Sequence, residues 1–157
     1  MILREDIDLT KLHILGKEYP HRRPERCPKC QSQRIWGHGY IPRYFDGYGL
    51  VYLKRWICAD CGCVPTIRPA GYFSRHHQTI TGILKSIVHR VKTGQWIRGP
   101  DLTRQRQGHW LRALRKNIKV WLGLEWIDKM IDGFSELMNL GQCPVLRSTQ
   151  IEASTKV

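Results

Sequence analysis

Two cysteine pairs constrain this chain more than any other feature: Cys27-Pro28-Lys29-Cys30 and Cys58-Ala59-Asp60-Cys61, 27 residues apart, with Gly62 directly after the second. Two-residue spacing lets both thiolates of a pair point at one ion, and two such pairs make the tetrahedral four-sulfur set of a closed site. Pro28 and Gly62 favour the tight turns that aim the sulfurs. The set predicts one structural Zn²⁺ held by Cys27, Cys30, Cys58 and Cys61, with no open position for water or substrate. Cys63 is left out, because in a ribbon the second residue after the last ligand starts the next strand. Cys143 stands alone and is expected to be buried or free.

Between and after the pairs the pattern is β. Ile35-Trp36 and Tyr40-Ile41 form an aromatic-rich stretch broken by Gly37 and Gly39, and Leu50 to Ile57 is dense in β-branched and aromatic types. Asp46-Gly47-Tyr48-Gly49 between them is a hairpin turn signal. Cys63 to Ile67 reads as a short edge strand, where Pro65 is tolerable. Residues 27–70 thus predict a small zinc ribbon with Trp36 and Trp56 in its core. Residues 1–26 read as a basic lead-in arm ending in Tyr19-Pro20-His21-Arg22-Arg23-Pro24-Glu25-Arg26, which its prolines hold extended.

From His76 the period changes. Ile80, Ile83, Leu84, Ile87, Val88 and Val91 make one helical stripe, stopped by Thr93-Gly94. Leu111, Leu114, Ile118, Trp121 and Leu122 make a second, in a helix with Asp101 as predicted N-cap. Leu124, Ile127, Met130, Ile131, Phe134, Leu137 and Met138 make a third, set off by Gly123. The long connection from Thr93 to Asp101 leaves room for a short middle helix at Gln95-Trp96-Ile97. Residues 76–140 are expected to be a helical DNA-binding domain and 141–157 a flexible tail. The predicted fold class is α+β: a small four-cysteine zinc ribbon, built on a β-hairpin, followed by an all-α, helix-turn-helix-like bundle.

The chain carries 26 Lys+Arg against 13 Asp+Glu, a formal charge of +13, which favours a polyanionic partner. No apolar run approaches the ~20 residues of a spanning helix, and the acidic N-terminus lacks a signal-peptide core. A reducing cytoplasm, on the nucleoid, is the expected location. From Lys85 to Lys119 there are ten cations and one acid, Asp101. Arg104, Arg106, Arg112, Arg115, Lys116 and Lys119 sit in the second helix; Arg104, Arg112, Arg115 and Lys119 stand near one another on the helix wheel, roughly opposite its apolar stripe, as in a helix that lies in a major groove. On the ribbon, Lys54 and Arg55 are candidate backbone contacts, and Arg22 and Arg23 extend the set along the arm. The histidines form no ligand pattern, and no residue pairs with a convincing nucleophile, so no enzymatic activity is expected.

Cys27-Pro-Lys-Cys30, Trp36-Gly-His38-Gly-Tyr40 and Arg55-Trp-Ile-Cys58-Ala-Asp-Cys61-Gly62 together resemble the zinc-ribbon segment at the front of many bacterial transposases, in which helix-turn-helix segments follow. The resemblance covers about residues 27 to 120. It implies metal ligation by Cys27, Cys30, Cys58 and Cys61 and a DNA-reading helix over Thr103 to Lys119. Such transposases continue into a nuclease domain, and the ~35 residues after Gly123 do not hold a core of ~100 residues. The expectation is a stand-alone duplex-DNA-binding regulator or accessory of a separate transposase or recombinase. Two other classes stay open: an RNA-binding or transcription-complex ribbon, and a protein-interaction adaptor in which the stripe from Leu124 to Met138 docks on a partner or a second copy of the chain.

Overall fold

The computed structural model describes residues 1–147. It divides into two compact units, Met1–Thr79 and the chain from Ile80 onward.

The first unit is a four-stranded sheet. β1 spans Ile2–Glu5, α1 Leu9–Leu15, β2 Ile35–Phe45, β3 Gly49–Cys58 and β4 Thr66–Pro69, in the sheet order β1-β4-β3-β2. β2 and β3 form the antiparallel hairpin, from Ile35↔Cys58 beside the cysteines to Phe45↔Gly49 at the turn. There Gly47 and Gly49 take φ near +80° and +75°, a region closed to most side chains. β2 carries an irregularity between Gly37 and Tyr40. Opposite it, burial along β3 changes parity: Val51 and Leu53 are buried before it, Trp56 and Cys58 after it. A bulge of this kind kinks and twists the strand, so a single hairpin contributes both parities to one core.

Three expectations change here. Residues 2–18 are folded rather than a lead-in arm: β1 pairs in parallel with β4, from Ile2↔Thr66 to Glu5↔Pro69. α1 packs on β3, with Leu9 and Leu12 buried, and Asp8 caps it by accepting from the Lys11 N–H at 3.1 Å. Burying Leu12 completely contributes about 1.5–3 kcal/mol, which explains why the segment folds back. The basic stretch 19–26 keeps the expected lack of regular structure. Second, β4 is an interior strand; the edge is β1. Pro65, just ahead of β4, uses its carbonyl to accept from the Trp56 N–H. Third, Trp56 is in the core at 8% exposure, but Trp36 is 56% exposed and lies under the Arg23 guanidinium.

The second unit is helical: α2 spans Ile80–Thr93, α3 Arg104–Trp121, a 3₁₀ segment Leu124–Lys129, and α4 Met130–Asn139. Its core takes Ile83 and Ile87 from α2, Trp110, Leu111, Leu114 and Ile118 from α3, and Phe134 and Leu137 from α4. Gly133 lets α4 approach α3: a Cβ there would lie 2.7 Å from Ile118 Cδ1. Gly123, at φ +103°, separates the second stripe from the third.

The connector 94–103 departs from expectation. It contains no middle helix, and the N-cap of α3 is Thr103, which accepts from the Arg106 N–H at 3.2 Å; Asp101 lies two residues too early. The connector is ordered by Gln107 instead. This fully buried side chain donates through Nε2 to the carbonyls of Ile97 and Leu102, both at 2.8 Å, and accepts from Ser86 Oγ at 2.5 Å. Carbonyls satisfied from one side chain need no helix. The connector also exceeds the three- or four-residue turn of a helix-turn-helix. The start of the expected tail is packed: Val145 is buried, and Asn117 Nδ2 donates to the carbonyls of Pro144 and Leu146 at 2.8 and 3.0 Å. The rest of that tail, 148–157, lies outside the described residues.

Candidate metal centre and basic surfaces

Each cysteine pair sits in a knuckle, and the two knuckles are built alike. In the first, the Gln31 N–H donates to the Cys27 carbonyl at 2.9 Å and the Cys27 N–H to the Ser32 carbonyl at 2.7 Å. In the second, Gly62 donates to Cys58 at 3.0 Å and Cys58 to Cys63 at 2.9 Å. Both turn on a residue with positive φ directly after the second cysteine, Gln31 at 63° and Gly62 at 66°. Glycine at the second position was readable; a glutamine in the same role was not, because nothing local marks it. Cys63 is engaged through its carbonyl in closing the knuckle and is not in the sulfur cluster.

The four Sγ atoms of Cys27, Cys30, Cys58 and Cys61 lie within 4.8 Å of one another, with Cys27–Cys61 and Cys30–Cys58 both at 3.6 Å. A tetrahedral ion with metal–sulfur bonds of ~2.3 Å places its ligands ~3.8 Å apart. The sulfurs are therefore arranged to hold a metal ion. A second set of bonds locks one knuckle to the other: Arg34 Nη1 pairs with Asp60 Oδ1 at 2.6 Å, Ser32 Oγ donates to Asp60 Oδ2, and the Ala59 N–H donates to the Arg34 carbonyl. Asp60 carries no sequence signal for this role beyond lying inside the second pair.

The electrostatics separate the sulfurs into two kinds, one of each per knuckle. The Cys30 N–H, aided by the Lys29 N–H and opposed by burial, pulls the Cys27 thiol down to about 6. The Cys61 and Asp60 N–H groups likewise lower Cys58 against burial. For Cys61 the Cys63 N–H pulls downward, but burial and the neighbouring sulfurs outweigh it and push the thiol up to about 12. Cys30 is raised too: the Ser32 N–H and Cys61 are outweighed by burial, Cys58 and Cys27. Without an ion, Cys30 and Cys61 hold their protons more tightly than an ordinary thiol. A cation that takes all four as thiolates must displace them, so uptake of metal releases protons.

The predicted basic residues fall into three groups. Arg104, Arg112, Arg115, Lys116 and Lys119 are exposed on α3. Among the described residues the ion pairs are Lys11–Asp8, Arg22–Glu25 and Arg34–Asp60, none of them on this helix. Arg112 donates to the His109 ring at 2.8 Å. Arg106 points the other way, half-buried, with Nη1 donating to the Asp101 carbonyl and its guanidinium over Trp110. At 100° per residue it falls on the core side of the wheel, which places it outside the exposed arc.

On the sheet, Lys54 is half-buried over the Tyr40 ring at 4.3 Å and Arg55 is half-buried within β3, so both help to build the sheet. Arg22 is exposed and paired with Glu25 at 2.9 Å; exposed Arg23 stacks on Trp36 and donates to the Gln33 carbonyl. No helix of the described residues is long and apolar enough to cross a membrane. No protein-family model, curated protein or solved structure matches this chain.

Proposed function

We propose that this chain is a zinc-dependent duplex-DNA-binding protein, acting as a regulator or accessory subunit beside a transposase or recombinase. The exposed face of α3 carries the reading. Arg104, Arg112, Arg115, Lys116 and Lys119 occupy an arc of ~120° along ~22 Å of helix, with no acidic side chain on the helix. Five cations with no carboxylate partner among the described residues repel one another on a rigid rod, and a polyanion relieves that repulsion. A helix fits the ~12 Å major groove, where arginines reach guanine edges or phosphates. The connector of ten residues sets this arrangement apart from a tight helix-turn-helix, so α3 is the reading element and α2 its support.

The ion proposed for the cysteine cluster is Zn²⁺. Four thiolates in a closed tetrahedron suit it and leave no coordination position for a substrate, which makes its role structural. The assay is fluorescence anisotropy on labelled duplex DNA across a salt series. Neutralising five phosphates gives a slope of log affinity against log salt near −4.5, at about −0.9 per phosphate. Arg104→Ala or Arg112→Ala should weaken a selected site more than random duplex. A slope shallower than about −1, or tighter binding of single-stranded RNA of matched length, overturns the reading.

A further inference from the structure

A second basic feature lies in the helical unit and faces away from sequence expectation. The end of α2, the connector and the first residue of α3 enclose a cleft of about 570 Å³, within the ~300–1,000 Å³ range of small-molecule sites. Its walls include Arg90, Arg98 and Arg104, with Trp96, Ile97 and Leu102 supplying apolar surface, and no carboxylate lines it.

The cleft is built in advance of any ligand. Arg90 donates to the Gly94 carbonyl and lies over the Trp96 ring at 4.8 Å, which fixes both side chains. Gln107 holds the Ile97 and Leu102 carbonyls from below. Three guanidinium groups around one cavity, none with a carboxylate partner among the described residues, favour an anion. The indole beside them favours a flat ring. A phosphate and a flat ring on one molecule make a nucleotide.

We propose that this cleft binds one unstacked nucleotide, with its phosphate on Arg90, Arg98 and Arg104 and its base against Trp96. A base inside a duplex has both faces covered by its neighbours, so only an unpaired nucleotide can reach the indole. The proposal rests on the DNA-binding reading only for the source of the nucleotide. The cleft shares Arg104 with the outer arc of α3 and is otherwise separate from it.

The test compares a labelled blunt duplex with the same duplex carrying a short 5′-phosphorylated unpaired end, using the full zinc-loaded chain at fixed salt. The expected result is tighter binding of the unpaired end. Trp96→Ala should weaken that complex about fivefold or more and leave the blunt duplex within about twofold. Trp96 is half-buried, so Arg98→Gln, at an exposed residue, provides a variant that leaves the fold intact. It should weaken the unpaired-end complex and reduce the size of its salt slope by about 0.7. Lys116→Ala should weaken both DNAs alike.

Competition by a free deoxynucleoside monophosphate, lost in Trp96→Ala, would show that the cleft takes the free nucleotide as well. Absence of competition together with the unpaired-end effect would show that it needs a strand. Equal affinity for the two DNAs, or equal losses on both in Trp96→Ala and Arg98→Gln, overturns the proposal. If the blunt duplex does not bind while the unpaired end binds through Trp96, the duplex reading falls and the cleft stands.

Discussion

Replacing Gln107 by Leu tests whether one buried amide organises the helical unit. The substitution keeps the size of the side chain and removes the short hydrogen bonds to the Ile97 and Leu102 carbonyls and from Ser86 Oγ, with a long one of 3.5 Å to the Thr103 carbonyl. The two carbonyls belong to half-buried connector residues and can turn to water, at a loss of about 1 kcal/mol between them. Ser86 is fully buried and cannot, and an orphaned hydroxyl costs about 1–3 kcal/mol. Gln107→Leu should therefore destabilise the unit by about 2–4 kcal/mol, read from urea unfolding followed by far-UV circular dichroism. The sharper expectation concerns the double variant. Ser86→Ala alone loses a bond and destabilises, but on the Gln107→Leu background it removes the orphan and recovers about 1 kcal/mol. A Gln107→Leu protein within about 0.5 kcal/mol of the parent, or a further loss on adding Ser86→Ala, refutes the reasoning.

Cys58→Ser should abolish stoichiometric metal binding, measured by metal analysis of the purified chain. Near-UV dichroism from the aromatics of the sheet unit should collapse while the helical far-UV signal persists. Gly133→Ala forces a methyl against Ile118 Cδ1 and should cost about 1–3 kcal/mol; Ile118→Val, which removes that atom, should recover part of the loss in the same unfolding assay. His21 is held below its ordinary 6.5, first by burial, with the nearby Tyr52 main chain opposing and Lys54 adding to the depression. The unfolded chain then binds the proton first, so this group's contribution to the stability of the sheet unit is present above pH 6.5 and is lost as pH falls below it. An NMR titration should place the His21 midpoint below 6.5, and Lys54→Met should raise it.

The parts of the fold that were legible are those written in neighbouring residues. The cysteine spacing, the Asp46–Gly49 turn and the helical stripes each state a local geometry, and the structure forms the knuckles, hairpin and helices where they stand. What was illegible depends on distant partners. β1 has four residues and no pattern of its own; it is a strand because Thr66–Pro69 offers it an edge far along the chain. Gln31 adopts a glycine's conformation because the Cys27 carbonyl and the metal-site geometry require it there. Gln107 looked like one polar residue in a basic helix, although its partners lie on α2 and the connector. Charge alone groups Arg106 with the other cations of α3, whereas the helix wheel sets Arg104, Arg112, Arg115 and Lys119 on one face without it; its turn toward Asp101 follows from where Thr103 caps the helix.

The likeness of the two knuckles has a consequence for how a metal is taken up. Each is a complete bidentate chelator, closed by its own main-chain bonds before the other is engaged. Once one knuckle holds an ion, the second reaches it at an effective concentration set by the hairpin between them, and that concentration is high only if the strands are in step. The pairing of Ile35 with Cys58 is the rung that fixes this. A slip of one residue would reverse the faces of β3 and carry its cysteine to the wrong side. Metal affinity is thus a gauge of strand alignment, and substitutions at the far end of the hairpin, around Asp46–Gly49, should be felt at the sulfurs.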